Sequence, residues 1–249
     1  MSIALQAGFW GGISGLALIL GATVGYFIKL PHKVIASVMA FGAGVLISAL
    51  SFEMMEKAHH QGGLFAAVGG FAFGVALYSA ANAVLSYYGA KHRKRSQIPG
   101  SHSAQGAGLA IALGALIDGI PEAAAIGVSL LDGEGVALVT VFAIFLSNIP
   151  EGLSSSAGMR QSGKSVGYVF SLWFSIAFMS AVSAWAGYSF LGHFGDVYVA
   201  FAIAVAAGAI LVMIIQTMIP EAFEDIHSIT GPIAAMGFIV AFSASKLFG

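Results

Sequence analysis

Long apolar stretches, interrupted by short polar breaks, run along the whole chain. A membrane-spanning helix needs roughly 20 apolar residues, and the pattern predicts about eight such spans. They cover residues 9–30, 34–54, 64–88, 104–131, 136–158, 166–191, 197–219 and 230–248. Their apolar positions have a helical period or none, whereas the strands of a membrane β-barrel would alternate. We therefore predict an all-α polytopic membrane protein whose single transmembrane domain covers residues 1–249.

The composition supports a membrane location. Charged residues make up 8% of the chain and the mean hydropathy is +0.91, whereas a soluble domain carries roughly 25% charged residues. The 33 glycines also fit, because small residues let membrane helices approach closely. Three pairs of glycines four positions apart predict such contacts: Gly11 and Gly15, Gly21 and Gly25, Gly70 and Gly74.

The basic residues are divided unequally between the two sides of the predicted bundle. Lys57 and Lys246 fall on one side. The other side carries Lys29, Lys33, Lys91, Arg93, Lys94, Arg95, Arg160 and Lys164. Cytoplasmic segments of membrane proteins are enriched in Lys and Arg. We predict that this more basic side is cytoplasmic and that both termini are extracytoplasmic, in a multi-pass protein of the cell membrane.

Two features exclude several classes of function. The chain has no cysteine, which excludes disulfides, thiolate metal ligands and cysteine nucleophiles. A formal net charge of −1 gives no indication of nucleic-acid binding. The expected surroundings are a lipid bilayer, and the sequence leaves open whether the chain acts alone or as a homodimer.

The tripeptide Ile-Pro-Glu occurs three times, each time within or at the end of an apolar stretch. The copies are at 120–122, 149–151 and 219–221. A glutamate costs on the order of 2.5–3.5 kcal/mol or more at the centre of a membrane helix. Proline adds to this cost, because it removes a backbone donor and frees the carbonyl four residues earlier. Such repeated penalties indicate polar groups that face a shared interior cavity, with a cation as the favoured occupant.

The fourth predicted span places two carboxylates on one face. Asp118 and Glu122 are four positions apart, so their Cβ atoms would lie roughly 5–6 Å from each other. In a medium of low dielectric both can stay ionised only with a positive partner, and no Lys or Arg lies within a span near them. The partner is then a proton or a metal ion. Protonated carboxyl groups at a structural helix kink are the alternative.

The fifth predicted span supplies further oxygen ligands. Ser147 and Glu151 share a helix face, and Asn148 lies beside them. The short connector between the fourth and fifth spans predicts that they are adjacent and antiparallel. At a rise of about 1.5 Å per residue, this register puts Glu122 about 10 Å from Glu151 along the axis. That is too far for one ion unless kinks or an asymmetric turn bring them together.

Together these motifs resemble the ZIP family of divalent metal transporters, which commonly has His-Asn-x-Pro-Glu-Gly on its fourth and fifth spans. Here the fourth span has Asp-Gly-Ile-Pro-Glu-Ala at 118–123, and the fifth has Ser-Asn-Ile-Pro-Glu-Gly at 147–152. The end of the seventh span, at 216–222, is also similar. The resemblance implies a central hairpin of the fourth and fifth spans, flanking triplets related by an inverted repeat, and a bacterial inner membrane.

Departures from the family motif affect the predicted metal. Asp118 and Ser147 stand where that motif has histidine, and the sixth span has no acidic residue. The resemblance therefore implies one metal site, formed by Asp118, Glu122 and Glu151 with Asn148 and Ser147 in support. Loss of imidazole favours harder cations such as manganese, whereas the resemblance implies zinc or iron. We expect a divalent ion (Zn, Fe, Mn or Cd) as transported substrate, and no organic cofactor.

Other polar residues near the span ends are weaker candidates. Glu221, at the end of the seventh span, and Glu53, at the end of the second, are secondary candidates for the metal pathway. Ser154, Ser155 and Ser156 fit either a wetted pathway or hydrogen bonds between helices. Exposed loops would explain the remaining candidates as well: Glu56, His59, His60, His92, His102, Glu224, Asp225 and His227.

The predicted function is transmembrane transport of a divalent metal cation, without enzymatic activity. A proton-coupled transporter of an organic solute and a non-transporting relative of the ZIP family are the alternatives. An intramembrane hydrolase is disfavoured, because no span carries a His-Glu-x-x-His motif. No ATP-binding loop is present, so an ion gradient or the membrane potential would drive transport. Uptake should depend on pH, because carboxylates bind metal only when deprotonated.

Overall fold

The computed structural model describes residues 1–85, 116, 119–132 and 138–248, and the regular structure in these ranges is entirely helical. This confirms the prediction of an all-α protein for the described part of the chain. The helices, in chain order, are α1 (Ile3–Phe27), α2 (His32–Ala49), α3 (Met55–Leu85), α4 (119–129), α5 (Leu138–Gln161), α6 (Val166–Leu191), α7 (Asp196–Met213), α8 (Ile219–Ile226) and α9 (Thr230–Phe248).

Two joints between helices are wider helical turns. A π-helix at Leu50–Met54 connects α2 to α3, and a second one at Ile214–Met218 connects α7 to α8. After each, the next backbone N–H bonds to the carbonyl five residues back. Such π turns occur frequently at functional sites, because they shift the face that the following side chains present.

Four helical stretches among the described residues are long and apolar enough to cross a membrane. α1 and α6 are two of them, and the others, His32–Val84 and Asp196–Leu247, contain 53 and 52 residues. A straight helix of that length would measure about 80 Å, against an apolar thickness of roughly 30 Å. Non-helical backbone interrupts both long stretches, at Gly63 (φ 75°) and at His227 (φ 40°). The apolar helices are those of a membrane-embedded protein.

The helix bounds agree with the predicted spans at some ends and extend beyond them at others. The sixth and eighth predicted spans coincide with α6 and α9. Helix continues past the second predicted span, from Met55 to the break at Gly63. Helix also continues past the seventh, to Ile226. Pro220 lies in the first turn of α8 and does not end the helix.

The helices that pack most closely are not neighbours in sequence. α1 packs on α5 and α6, α3 on α7, and α2 on α9, α5 and α8. Glycine makes these contacts possible: a Cβ atom on Gly21 would lie 2.1 Å from the Ile149 carbonyl oxygen, and one on Gly74 would lie 2.0 Å from that of Val205. All six glycines of the predicted pairs lie at contacts too close for a Cβ atom, so that prediction is confirmed.

Two polar contacts occupy equivalent places in two helix pairs. Asn82 of α3 donates to the Gln216 side chain in the π-helix after α7 (2.6 Å), and Ser245 of α9 donates to the Glu53 carboxylate in the π-helix after α2. Gln216 comes 163 positions after Glu53, and Ser245 comes 163 positions after Asn82. Both α2 and α7 have 18 residues and lead into a π-helix of five. The segments α1–α3 and α6–α9 therefore share features in the same order.

The apolar core lies where α2, α3, α5 and α7 meet, around Leu46, Ile144 and Ile210. A second cluster lies between α1, α5 and α6 and surrounds Trp173, which is fully buried. Its indole N–H donates to Ser156 Oγ at 2.7 Å, so this tryptophan packs between helices and does not mark a membrane interface.

Candidate metal centre

A buried cavity of about 10 Å³ lies where α2, α4, α5 and the joint between α7 and α8 meet. A cavity needs a volume of roughly 10–15 Å³ to hold one water molecule. The cavity is therefore the size of one water molecule or one dehydrated ion. Its lining residues are Met39, Glu122, Ser147, Glu151, Met213, Thr217, Met218 and Glu221.

The glutamates of all three Ile-Pro-Glu tripeptides line this one cavity. Glu122 lies on α4 and is 1% exposed, Glu151 follows Pro150 within α5, and Glu221 follows Pro220 in the first turn of α8. Three helices that are separate in sequence thus each contribute one carboxylate. The sequence predicted the polar groups and a shared cavity, and the structure brings these three together.

The electrostatics of the cavity favour a cation. None of the described residues that line it is a lysine or an arginine, and carboxylates grouped at low dielectric need a proton or another positive charge. Glu122 Oε2 and Glu151 Oε1 are buried atoms that accept no hydrogen bond from the described residues, although both residues have other interactions in the chain. The Ser154 hydroxyl on α5 donates to Glu221 Oε1 and ties α5 to α8.

Ser147 lines the cavity, whereas Asn148 does not. The Ser147 hydroxyl donates to the Ile144 carbonyl at 2.9 Å, which orients its oxygen, and that oxygen still has acceptor lone pairs. Asn148 turns towards α1, where its Nδ2 donates to the Ser14 carbonyl at 2.9 Å. In this structure Asn148 therefore joins α5 to α1, and it lies outside the group around the cavity.

Asp118, the remaining residue of the predicted site, lies outside the described residues. Within the ranges that the structure describes, no three His, Cys, Asp or Glu side chains are grouped so as to hold a metal ion by themselves. Cation binding at the cavity would therefore draw on its other donors as well, namely the hydroxyl groups of Ser147 and Thr217 and the thioethers of the three methionines.

The register predicted from the sequence left Glu122 and Glu151 about 10 Å apart along the axis unless a kink or an asymmetric turn brought them together. In the structure both residues line the same cavity. The described part of α4 ends in a 3₁₀ turn at Leu130–Asp132, which rises about 2.0 Å per residue against about 1.5 Å in an α-helix. The connection between this turn and α5 lies outside the described residues.

Four residues that line the cavity were not expected from the sequence: Thr217, Met39, Met213 and Met218. A methionine in an apolar helix is usually a packing residue, and nothing in the sequence distinguishes these from Met159, which packs beside Trp173. A thioether is a soft ligand. The lining therefore contains methionine side chains in addition to the carboxylates and the serine expected from the sequence.

Glu53 lies in a different cavity. That cavity has a volume of about 30 Å³, and Lys57, Ser129 and Thr140 also line it. The Lys57 ammonium donates to the Ser129 carbonyl at 3.3 Å, and the Glu53 carboxylate accepts from the Ser245 hydroxyl. The structure does not bring Glu53 to the three glutamates of the first cavity.

The weaker candidates are mostly exposed. His60 lies 3.9 Å from Glu56, and both side chains are more than half exposed. They lie on the helical segment before Gly63 and not in the loop expected there. Glu224 and His227 are exposed as well, at and beyond the end of α8. His92 and His102 lie outside the described residues. Of the three serines, Ser156 bonds between helices and Ser154 reaches the cavity glutamate.

Comparison with models of known protein families gives no match to this chain, and no curated protein matches it.

Proposed function

We propose that this protein is a ZIP-like transporter that moves a divalent metal cation through the cavity between α4, α5 and α8. The observation that carries the proposal is the convergence of Glu122, Glu151 and Glu221 on one buried cavity of about 10 Å³. Carboxylates that meet at low dielectric favour an occupant with positive charge. The resemblance of the motifs at 118–123 and 147–152 to the ZIP family supports the same function.

Eight membrane crossings fit this proposal. The breaks at Gly63 and His227 divide each of the two long helical stretches into two segments of crossing length. α5 has 24 residues, enough for a span, and its serines, asparagine and glutamate account for its lower mean hydropathy. Together with α1 and α6 these make seven segments of crossing length, and the fourth predicted span, at 104–131, would be the eighth.

An inverted repeat would give the transporter two related states. The shared offset of 163 positions and the matching π-helices support a relation between α1–α3 and α6–α9. In transporters built from inverted repeats, one bundle rocks against the other and exposes a central site to each side in turn. The π-helices contain Glu53 and Met218, each of which lines a cavity, so a change in these turns could alter the face presented to that cavity.

The orientation rests on the basic residues at one end of the bundle. The Tyr26 hydroxyl donates to the Lys164 carbonyl (2.9 Å), and Arg160 donates to the Tyr26 carbonyl (2.7 Å). These bonds hold the loop after α1 beside the loop after α5, so Lys29, Lys33, Arg160 and Lys164 share one end. The positive-inside rule makes this end cytoplasmic and both termini extracytoplasmic.

The cavity also bears on the identity of the substrate. Carboxylate and hydroxyl oxygens suit manganese and ferrous iron, whereas thioethers favour softer ions such as cadmium. The mixed lining therefore favours borderline divalent cations, including zinc and ferrous iron, over calcium and magnesium. None of the described residues that line the cavity is a lysine or an arginine, which weighs against a proton-coupled carrier of an organic anion.

Metal uptake into liposomes tests this function. We expect Glu122→Gln and Glu151→Gln to lower uptake of zinc, iron, manganese or cadmium at a limiting concentration by about tenfold or more, since roughly 1.4 kcal/mol of lost binding is tenfold. Glu56→Gln removes an exposed carboxylate outside the cavity and should leave uptake unchanged. Lowering the pH should also reduce uptake by the wild type, because protons compete with the metal for the carboxylates.

Three results would contradict the proposal. Equal uptake by wild type, E122Q and E151Q would contradict the assignment of Glu122 and Glu151 to the metal site. Proton flux that is driven by an organic solute without metal would favour the carrier. Absence of uptake for all four metals, with folded protein in the membrane, would favour a non-transporting relative.

A further inference from the structure

A third cavity, of about 260 Å³, lies at the basic end of the bundle between the end of α1, the start of α2 and the end of α5. One water molecule needs a cavity volume of roughly 10–15 Å³, so this cavity has room for a polyatomic ligand. It shares no lining residue with the cavity lined by Glu122, Glu151 and Glu221. It is therefore a separate place from the site proposed above.

The polar lining of this cavity is cationic. Lys29, His32, Arg160 and Gln161 supply its polar side chains, and none of the described residues that line it is acidic. Arg160 is fixed in place, because its Nη1 donates to the Tyr26 carbonyl at 2.7 Å. The guanidinium is a planar fork of five N–H donors, so further donors remain for a ligand, and that fork matches phosphate oxygens.

The backbone adds to the positive potential at this place. α2 begins at His32 after Pro31, and no side chain caps its first turn. The amide groups and the dipole of an 18-residue helix therefore present partial positive charge beside Leu30 and His32, which line the cavity. Apolar side chains, including Ile28 and Ile35, form the rest of the wall.

We propose that this cavity, defined by Lys29, His32 and Arg160, binds a phosphate group, either as the headgroup of an anionic phospholipid or as free phosphate. Basic pockets between membrane helices at the cytoplasmic side are suited to anionic headgroups. The apolar wall at Ile28 and Ile35 would accept the glycerol and upper acyl region of a lipid. The ligand would join α1, α2 and α5 at the end of the bundle and stabilise the folded protein.

Thermal unfolding of the purified full-length protein in neutral detergent tests this site. The probes are phosphatidylglycerol, phosphatidylcholine and inorganic phosphate, at matched ionic strength. We expect phosphatidylglycerol or inorganic phosphate to raise Tm by about 2–4 °C or more, and phosphatidylcholine to have no comparable effect. A shift with phosphatidylglycerol alone identifies a lipid headgroup, and a shift with inorganic phosphate identifies a free phosphate site.

Matched variants distinguish binding in this cavity from general attraction between anions and the basic end of the bundle. Lys29→Gln removes a cation of the cavity, and Lys33→Gln makes the same change four positions on, at an exposed residue that does not line it. We expect K29Q to lose most of the Tm shift and K33Q to retain it. Equal loss in both variants, or no shift with either anionic probe in the wild type, would overturn the proposal. The readout is stability, so the outcome does not depend on metal transport.

Discussion

Three methionines, at positions 39, 213 and 218, line the glutamate cavity beside the carboxylates. The exposed fractions of their side chains are between 2% and 7%, so these residues pack within the bundle. Met218 lies two positions before Pro220, in the π-helix that leads to Glu221. One short segment of the chain thus brings both a thioether residue and a glutamate to the cavity lining.

Substitution of a cavity methionine should alter metal preference more than folding. Met218→Leu keeps nearly the same volume, and such exchanges usually cost less than about 1.5 kcal/mol. Because thioethers bind softer ions preferentially, we expect the ratio of cadmium to manganese uptake to fall by about fivefold, which corresponds to roughly 1 kcal/mol. Competitive uptake of the two ions in liposomes measures this ratio.

Met159→Leu is the matched control for this exchange. Met159 is buried to the same degree but packs in the cluster around Trp173, away from the cavity. Its substitution should leave the uptake ratio unchanged. If M218L and M159L give the same ratio as the wild type, the thioether at 218 does not contribute to metal binding.

The helix α5 carries both the site and the closest contact with α1. Its face towards the cavity bears Ser147 and Glu151, while Gly152 faces α1. A Cβ atom at Gly152 would lie 2.1 Å from the Leu18 carbonyl oxygen. The glycine of the Ile-Pro-Glu-Gly motif therefore allows α1 and α5 to approach closely beside Glu151.

Two glycine-to-alanine substitutions should have opposite outcomes. Gly152→Ala would force α1 and α5 apart at backbone atoms, and overpacking of this kind costs about 1–3 kcal/mol. At Gly42 on α2 an added Cβ atom would meet its nearest neighbours, Ser147, Met218 and Pro150, at 3.4–3.6 Å, which is ordinary contact. We expect a clear fall in Tm for G152A and almost none for G42A.

Thermal unfolding in one detergent would compare these two variants directly. A similar Tm for both proteins would show that α1 can withdraw from α5 at little cost. In that case the close approach at Leu18 would not determine the position of Glu151.

The eight-crossing bundle predicts which side of the membrane each connecting segment faces. The chain has no cysteine, so single cysteines can be introduced without other changes. Under the eight-crossing topology Lys33→Cys and Ser162→Cys lie on the cytoplasmic side, whereas Ser2→Cys and Gly195→Cys lie outside. All four positions are exposed and outside the helix interiors or at their ends.

Labelling with a membrane-impermeant maleimide reads out this topology. In intact cells Ser2→Cys and Gly195→Cys should react, and Lys33→Cys and Ser162→Cys should react only after permeabilisation. Reaction of Lys33→Cys and Gly195→Cys from the same side would contradict the alternation of crossings between α1 and α7. Reversal of the whole pattern would retain the topology and invert the orientation.

The helices themselves were largely predictable from local patterns. Apolar stretches of sufficient length lie in the membrane because of their own transfer free energy. The bounds of α6 and α9 coincide with those of the apolar stretches predicted there. The cost of a buried glutamate is likewise a property of the residue, so the three Ile-Pro-Glu tripeptides indicated a polar interior before any contact was known. The four-residue spacing of glycines predicted residues at which helices approach closely.

The register between helices determines which residues line the glutamate cavity. Asn148 lies next to Ser147 in sequence but bonds to α1, and Glu53 lies in another cavity beside Lys57. Glu122, Glu151 and Glu221 line one cavity although they lie on three different helices, and Glu221 follows a π-helix and a proline. Which side chains share a cavity depends on small shifts at the joints and in the packing of the whole bundle, and a local apolar pattern contains no information about such shifts.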